Sequence, residues 1–395
     1  MIKKQTRKKP NKKQKNMIIG VVFLVSAIII VTVWALLSAH KATSKSTYFS
    51  YAAADTASLK DLKATGEISL DDVYQWDQTY FRLVSNQKLN DVEASRVYAY
   101  LAVAEADFAA LSFNATGKFA GNINPVAQGI ACEFFASECA SLAVDEQPDE
   151  FSKQASELIM ARVKARITED AQMTKPHSIS NDTNLWQGPD PKTGIDAGSR
   201  KPWHLTAGNQ FRAPAPPAIT SSSYVTLLAE VKQALGNITE PQRQAVVFWA
   251  GGPGTKTPPG IWLNIADQYM KDQSTKLETV LNARSDTTTA MADAVIAVFD
   301  SKYTYQQKRP NMLDPSIITV MPTPNHPSYP AGHATISAAA YTVLAHYFPE
   351  HETTWKQQAD EAATSRLWGG IHFSIDNKAG FTLGQKVGGQ AIATK

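Results

Sequence analysis

Residues 326–333 read HPSYPAGH. Pro327 and Pro330 stiffen the approach, and Ala331, Gly332 and His333 open a long run of good helix formers. The spacing predicts a loop that ends at a helix N-terminus. The first N–H groups of a helix have no partner inside it and point at whatever rests there. Glycine lets an anion come close to that backbone, and a histidine beside it can move protons near neutral pH. Read alone, the octapeptide is more simply a Pro-Gly turn with His333 on the surface. Its neighbours along the chain reverse that reading.

Upstream, residues 286–302 have helical periodicity that puts Met291, Val295, Val298 and Lys302 on one face, with Lys302 at its polar end. Arg309 and Pro310 follow seven residues later. Downstream, residues 352–368 place Trp355, Ala359, Ala362 and Arg366 on one face, and an arginine on a core-facing side needs an anion. Gly369 and Gly370 end that helix. His372 and Asp376 then stand at i and i+4, a spacing at which a carboxylate can hold an imidazole in one tautomer. Three cations, a helix start rich in N–H donors, and two histidines make a complete set for a tetrahedral oxyanion that becomes five-coordinate.

The remaining pattern is also helical. Asn90 and Glu93 form a candidate capping box ahead of Val97, Leu101, Ala104, Phe108 and Leu111, and residues 153–167 read as another helix. From about 174 to 222 the chain is broken by Pro176, Pro189, Pro191, Pro202, Pro214, Pro216 and Pro217, a loop long enough to be functional or a linker. Helical pattern resumes at 223, and alternating β-type segments are nearly absent. The expected class is all-α, a helical bundle.

Three segments in register, Lys302-x6-Arg309-Pro310, then Pro330-Ala331-Gly332-His333, then Ser365-Arg366-x5-His372-x3-Asp376, resemble the signature of the type 2 phosphatidic acid phosphatase (PAP2) and vanadium haloperoxidase superfamily. WAGGPGTKTPPGIW (249–262), PWHLTAGNQFRAPAPP (202–217) and the ending DNKAGFTLGQKVGG are similar to the bacterial branch related to vanadium chloroperoxidase. The resemblance implies that Lys302, Arg309, Gly332 and Arg366 hold the oxyanion. It further implies that His372 is the axial partner and the vanadium ligand, that Asp376 orients it, and that His333 is the acid–base group. Two activities share such a site. In a haloperoxidase, vanadate on His372 is the cofactor and hydrogen peroxide and halide are the substrates. In a phosphatase, His372 attacks a phosphate monoester without any cofactor. His326 stands where bromoperoxidases of the family also have histidine, and Phe299 where chloroperoxidases have tryptophan; both are expected around the site rather than in it. Ala331 departs from the pattern, since the family usually has a serine there. Its lost hydroxyl leaves open a third reading, a catalytically weak binding protein at the cell surface, unless Ser328 or Tyr329 supplies a replacement.

Composition bounds the rest. A chain of 395 residues with 43% hydrophobic and 19% charged residues is globular. The net charge of +3 is uneven: residues 1–16 carry eight Lys or Arg and no acid, leaving the remainder near −5 and giving no reason to expect nucleic-acid binding. Residues 17–37 are uncharged and apolar, enough for a helix of roughly 31 Å. The expected order is a basic cytoplasmic tail (1–16), a transmembrane anchor (17–37) or a cleaved signal, a spacer (38–58), and an extracytoplasmic helical domain (59–395) with its motifs in 282–395. Cys132 and Cys139 are too far apart for a bridge on one continuous helix, so either the helix breaks and a disulfide closes a short loop, or both thiols stay free. GGPGTKT (251–257) lacks the second glycine of a P-loop, and Pro258 and Pro259 follow where a helix would have to begin.

Overall fold

The computed structural model describes residues 46–142 and 147–394. The tail, the anchor and the first part of the spacer lie outside the described residues. Among the described residues no helix is long and apolar enough to cross a membrane.

Among the described residues the all-α expectation holds, with a single isolated bridge, Glu67 to Ala120, outside helices. In chain order the helices are α1 (Ala53–Lys60), α2 (Leu70–Asn86), α3 (Asp91–Thr116), α4 (Asn124–Phe134), α5 (Glu150–Met173), α6 (Ser223–Gly236), α7 (Glu240–Phe248), α8 (Thr257–Asp272), α9 (Leu277–Tyr305), α10 (Pro310–Leu313), α11 (Gly332–Tyr347), α12 (Glu352–Trp368) and α13 (Ser374–Ala393). The cap at Asn90 is real, since its side chain accepts from the N–H groups of Val92 and Glu93.

Helix α9 is the axis of the bundle, and nearly every side chain from Val280 to Tyr303 is buried. Its charges must therefore be satisfied inside. Arg284 reaches Asp77 of α2 at 2.6 Å and Glu105 of α3 at 2.5 Å, with Asp267 of α8 at 3.4 Å. Asp293 accepts from the backbone N–H groups of Trp203 and His204 at 2.7 Å and of Leu205 at 3.1 Å, and Asp300 takes a two-pronged bond from Arg212. Those two carboxylates hold the proline-rich stretch between α5 and α6 against the bundle, so that stretch is an ordered wall of the domain.

Helices α11 and α13 approach unusually closely. A Cβ on Gly380, Gly384 or Gly388 would come within 2.5 Å of Ala331 O, 2.1 Å of Thr335 O or 2.8 Å of Thr342 Cβ. The glycine stripe lets α13 lie on the α11 backbone, and this sets Asp376 beside the start of α11.

Two expectations change and one open choice closes. The spacer does not run to residue 58: the N–H groups of Tyr48 and Phe49 and the Tyr51 hydroxyl all bond Asp107, and α1 follows at Ala53. An acid buried in α3 recruits this segment into the domain, which begins near residue 46. Pro258 and Pro259 do not prevent a helix, because they occupy the first turn of α8, where their missing N–H is not needed. Helix α4 ends at Phe134, and the chain turns back so that Cys132 and Cys139 form a disulfide with Cα atoms 4.7 Å apart.

Candidate active site

The three sequence segments converge. Lys302 lies in the last turn of α9, Arg309 just before α10, Gly332 and His333 in the first turn of α11, and Arg366 in the last turn of α12. His372 lies between α12 and α13, and Asp376 in the first turn of α13. His372 thus lies just ahead of the helix that carries Asp376. Asp376 reaches back from the helix start, taking the Phe373 N–H at 3.2 Å and His372 Nδ1 at 2.9 Å on the same Oδ2.

Those contacts fix the imidazole. Arg309 Nη1 lies 2.9 Å from His372 Nε2. A guanidinium has no lone pair to offer, so Nε2 accepts and the ring proton sits on Nδ1, donated to Asp376. The third partner of Asp376 Oδ2 is the Ser328 hydroxyl at 2.6 Å, and Gln307 Nε2 lies 3.3 Å from Oδ1. Burial raises the Asp376 carboxyl to about 6, although the bonds from Ser328 and Phe373 pull it down. Burial, reinforced by Arg309 and Lys302, holds His372 well below 6.5, so the ring is neutral with a bare Nε2.

Lys302, Arg309 and Arg366 are each 0% exposed, and their bonds go to neutral acceptors. Lys302 Nζ donates to Pro327 O and Ser328 O, both at 2.8 Å. Arg309 donates to His326 O and Ile371 O and to the rings of His326 and His372. Arg366 donates to Ser365 Oγ, Val246 O and Met321 Sδ. Counting donors, one N–H on Lys302, one on Arg309 and two on Arg366 have no acceptor among the described residues. Burial lowers all three: Lys302 well below its usual range, with Arg309 adding to the effect, Arg309 to about 10 and Arg366 to about 9. Two carboxyls face Lys302 and Arg309, Asp376 and Asp91 at the first turn of α3, and burial raises both. Buried positive charge left this poorly compensated is stabilised by an anion.

The start of α11 offers room for one. A Cβ on Gly332 would meet only Lys302 Cε at 4.0 Å. His333, half-buried on the same turn, has Nε2 2.8 Å from Trp249 O and 3.3 Å from Ala250 O. Carbonyls only accept, so the proton is on Nε2 and Nδ1 is bare. Burial and Arg366 hold this ring well below 6.5 as well. Ala331 differs from expectation in a second way. Its N–H is committed to Asp376 O at 3.0 Å and its methyl packs with Ala334, Ala363 and Phe381, so neither group serves an anion. No replacement hydroxyl comes from its neighbours: Ser328 is bound to Asp376, and the Tyr329 hydroxyl donates to Pro214 O at 2.6 Å.

His326 is not a solvent-satisfied loop residue. It is 8% exposed, and both its carbonyl and its Nδ1 take N–H groups of Arg309, while Phe299 packs on its ring at 5.2 Å. The sequence did not single out Gln307, Asp91, Met321, or the carbonyls of Val246, Trp249, Ala250 and Ile371. Carbonyl partners leave no residue-type signal. Asp91 and Met321 belong to none of the three segments in register.

Fold and site together define a helical bundle with a buried histidine–cation centre. Residues 286–390 match the family model described as the PAP2 superfamily, the superfamily that the three sequence segments resemble. No curated protein sequence matches the chain. The fold is similar to that of a bacterial vanadium-dependent iodoperoxidase (22% identity, 84% of this chain and 98% of that chain, TM-score 0.72). It is also similar to the holo and apo forms of a bacterial vanadium-dependent chloroperoxidase. Identity to each is 14%; coverage is 77% and 76% of this chain and 92% of those chains, with TM-scores of 0.60 and 0.58.

Proposed function

We propose that the protein is a vanadate-dependent haloperoxidase, oxidising halide with hydrogen peroxide. The residues present fit vanadate: an unprotonated imidazole nitrogen on His372, open space over Gly332, and spare donors on three buried cations. His372 would hold it at Nε2, with Lys302, Arg309, Arg366 and the Gly332 backbone around its oxygens. Bound vanadate supplies a Lewis-acidic centre that polarises peroxide. His333 takes the peroxide proton on Nδ1, and Asp376 keeps His372 in the tautomer that leaves Nε2 free.

The observation that carries this choice is the state of His333. Its Nε2–H donates to the Trp249 and Ala250 carbonyls, which leaves Nδ1 as the acceptor, and burial together with Arg366 favours the neutral ring. A neutral base suits proton removal from peroxide, whereas a phosphatase needs an imidazolium to protonate the leaving alcohol. Hydrolysis of phosphate monoesters through His372 is the second reading, since phosphate fits the same cations. The resemblance of the motifs and the fold of the iodoperoxidase and chloroperoxidase neighbours support the first. We further propose that residues 17–37 anchor the domain outside the cytoplasm, on the basic cluster that precedes them.

The test uses full-length protein with and without orthovanadate, following iodide- and bromide-dependent halogenation of a dye by hydrogen peroxide. Hydrolysis of p-nitrophenyl phosphate is measured in parallel. Vanadate-dependent halogenation that disappears in His372→Ala supports the proposal. Phosphate release that vanadate inhibits, without halogenation, replaces it with the phosphatase. Silence in both assays leaves a binding protein.

A further inference from the structure

One donor of Arg366 does not meet oxygen. Its Nη1 lies 3.0 Å from Met321 Sδ, and Met321 is half-buried, at the edge of the site. The contact is built. The Val320 N–H donates to Gly369 O at 3.1 Å, tying this strand of loop to the end of α12 just past Arg366, and the Thr319 hydroxyl donates to Met321 O at 2.7 Å. Pro322 and Pro324 restrict the chain that follows. A thioether is a weak hydrogen-bond acceptor but a good two-electron reductant. Its placement on a guanidinium that faces the oxyanion position puts a reductant where peroxide is to be activated.

We propose that Met321 is a self-oxidation site, converted to the sulfoxide by hydrogen peroxide held at the centre, and that the sulfoxide turns the site down. This rests on the haloperoxidase reading, which brings peroxide there. The sulfur lone pair attacks one peroxide oxygen, the S–O bond forms as the O–O bond breaks, and the second oxygen leaves as water with both protons. Sulfur loses two electrons and peroxide gains them. The new S=O oxygen is a much stronger acceptor than the thioether and competes for the Arg366 Nη1 donors that an oxyanion needs. Met173 and Met312 are more open to solvent, at 48% and 36% exposure, and provide internal controls.

The experiment treats full-length protein with hydrogen peroxide, with and without orthovanadate, then digests it and measures oxygen gain on each methionine by mass spectrometry. Without vanadate, Met173 and Met312 are oxidised first. With vanadate, Met321 overtakes both, and His372→Ala abolishes the effect. Orthovanadate affinity, measured before and after peroxide treatment, falls about tenfold in the wild type, the size of one charged hydrogen bond. It does not fall in Met321→Leu. If halide is oxidised but Met321 follows solvent exposure whatever the vanadate, the self-oxidation site is wrong and the haloperoxidase reading stands. If neither halide nor Met321 responds to vanadate, both are wrong. Vanadate-dependent oxidation of Met321 without halide oxidation supports the site and removes the halide reading.

Discussion

Arg309 donates Nη1–H to His372 Nε2 at 2.9 Å, so the basic lone pair of His372 is covered by one of the site's own cations. An oxyanion that takes Nε2 must displace that N–H, and the freed donor then faces the oxyanion's oxygens. The same exchange removes a buried positive charge from direct contact with a neutral ring and gives it an anionic partner.

The tautomer of His372 depends on Asp376. In Asp376→Asn the amide can donate to Nδ1, which moves the ring proton to Nε2, where it opposes the Arg309 N–H. Turnover should fall roughly 100- to 10,000-fold, the range seen when a carboxylate that sets a catalytic tautomer is neutralised. Nitrogen NMR of labelled histidine checks the cause, showing Nδ1 protonated in the wild type and Nε2 in the variant. An unchanged tautomer would show that Asp376 acts in another way.

Ala331 is the N-cap of α11 and has no side chain to cap it. Ala331→Ser restores a hydroxyl at the helix start. Because the Ala331 methyl packs with Ala334, Ala363 and Phe381, we expect no gain in orthovanadate affinity by calorimetry; binding about tenfold tighter, the worth of one hydrogen bond to a charged group, would show that the hydroxyl turns out of that cluster to the anion. A rise in Tm with no change in affinity would mean that the new hydroxyl caps the helix and does not reach the anion.

Ligand binding should also appear as stability. Orthovanadate at about 100 times its Kd adds about 2.7 kcal/mol to the folded state. Lys302→Met keeps the volume but removes a charge from the centre. If affinity falls 10- to 100-fold, the gain at the same concentration shrinks to about 0.4–1.4 kcal/mol. Urea unfolding with and without orthovanadate measures it. A full-sized gain in Lys302→Met would remove Lys302 from the binding set.

The buried cluster around Arg284 gives a pH signature away from the site. Burial, which outweighs the pull of Arg284, raises Glu105 to about 8. Between its unfolded value, near 4.3, and about 8 the folded state holds a proton that the unfolded chain has lost, so this group makes stability fall as pH rises through that window. Glu105→Gln has no such proton. Its stability relative to the wild type should climb by up to about 1.4 kcal/mol per pH unit from pH 5 to pH 8 and level off above. Urea midpoints at pH 5, 6.5 and 8 test this, and a difference that stays flat would place the proton on another member of the cluster.

The legible part of the site was the part written in residue types at fixed spacing. Lys302, Arg309, His333, Arg366, His372 and Asp376 follow from three segments in register, and residues 352–368 form the helix their periodicity implies. What stayed hidden was made by tertiary contact. Nothing in the string around Tyr48 says that Asp107 will capture it, and the direction of His333 is set by carbonyls at Trp249 and Ala250, 84 and 83 residues away. Gly380, Gly384 and Gly388 were visible as a family-like ending, but their use as a close-contact stripe needed the partner helix α11 to be in place.

The most direct measurement is orthovanadate titration of the full-length protein by calorimetry, at pH 7, against His372→Ala. The expected result is one site per chain in the wild type, with phosphate competing for it, and loss of at least about 100-fold in affinity in the variant. Equal binding by the two proteins, or none by either, would contradict an oxyanion centre built on His372.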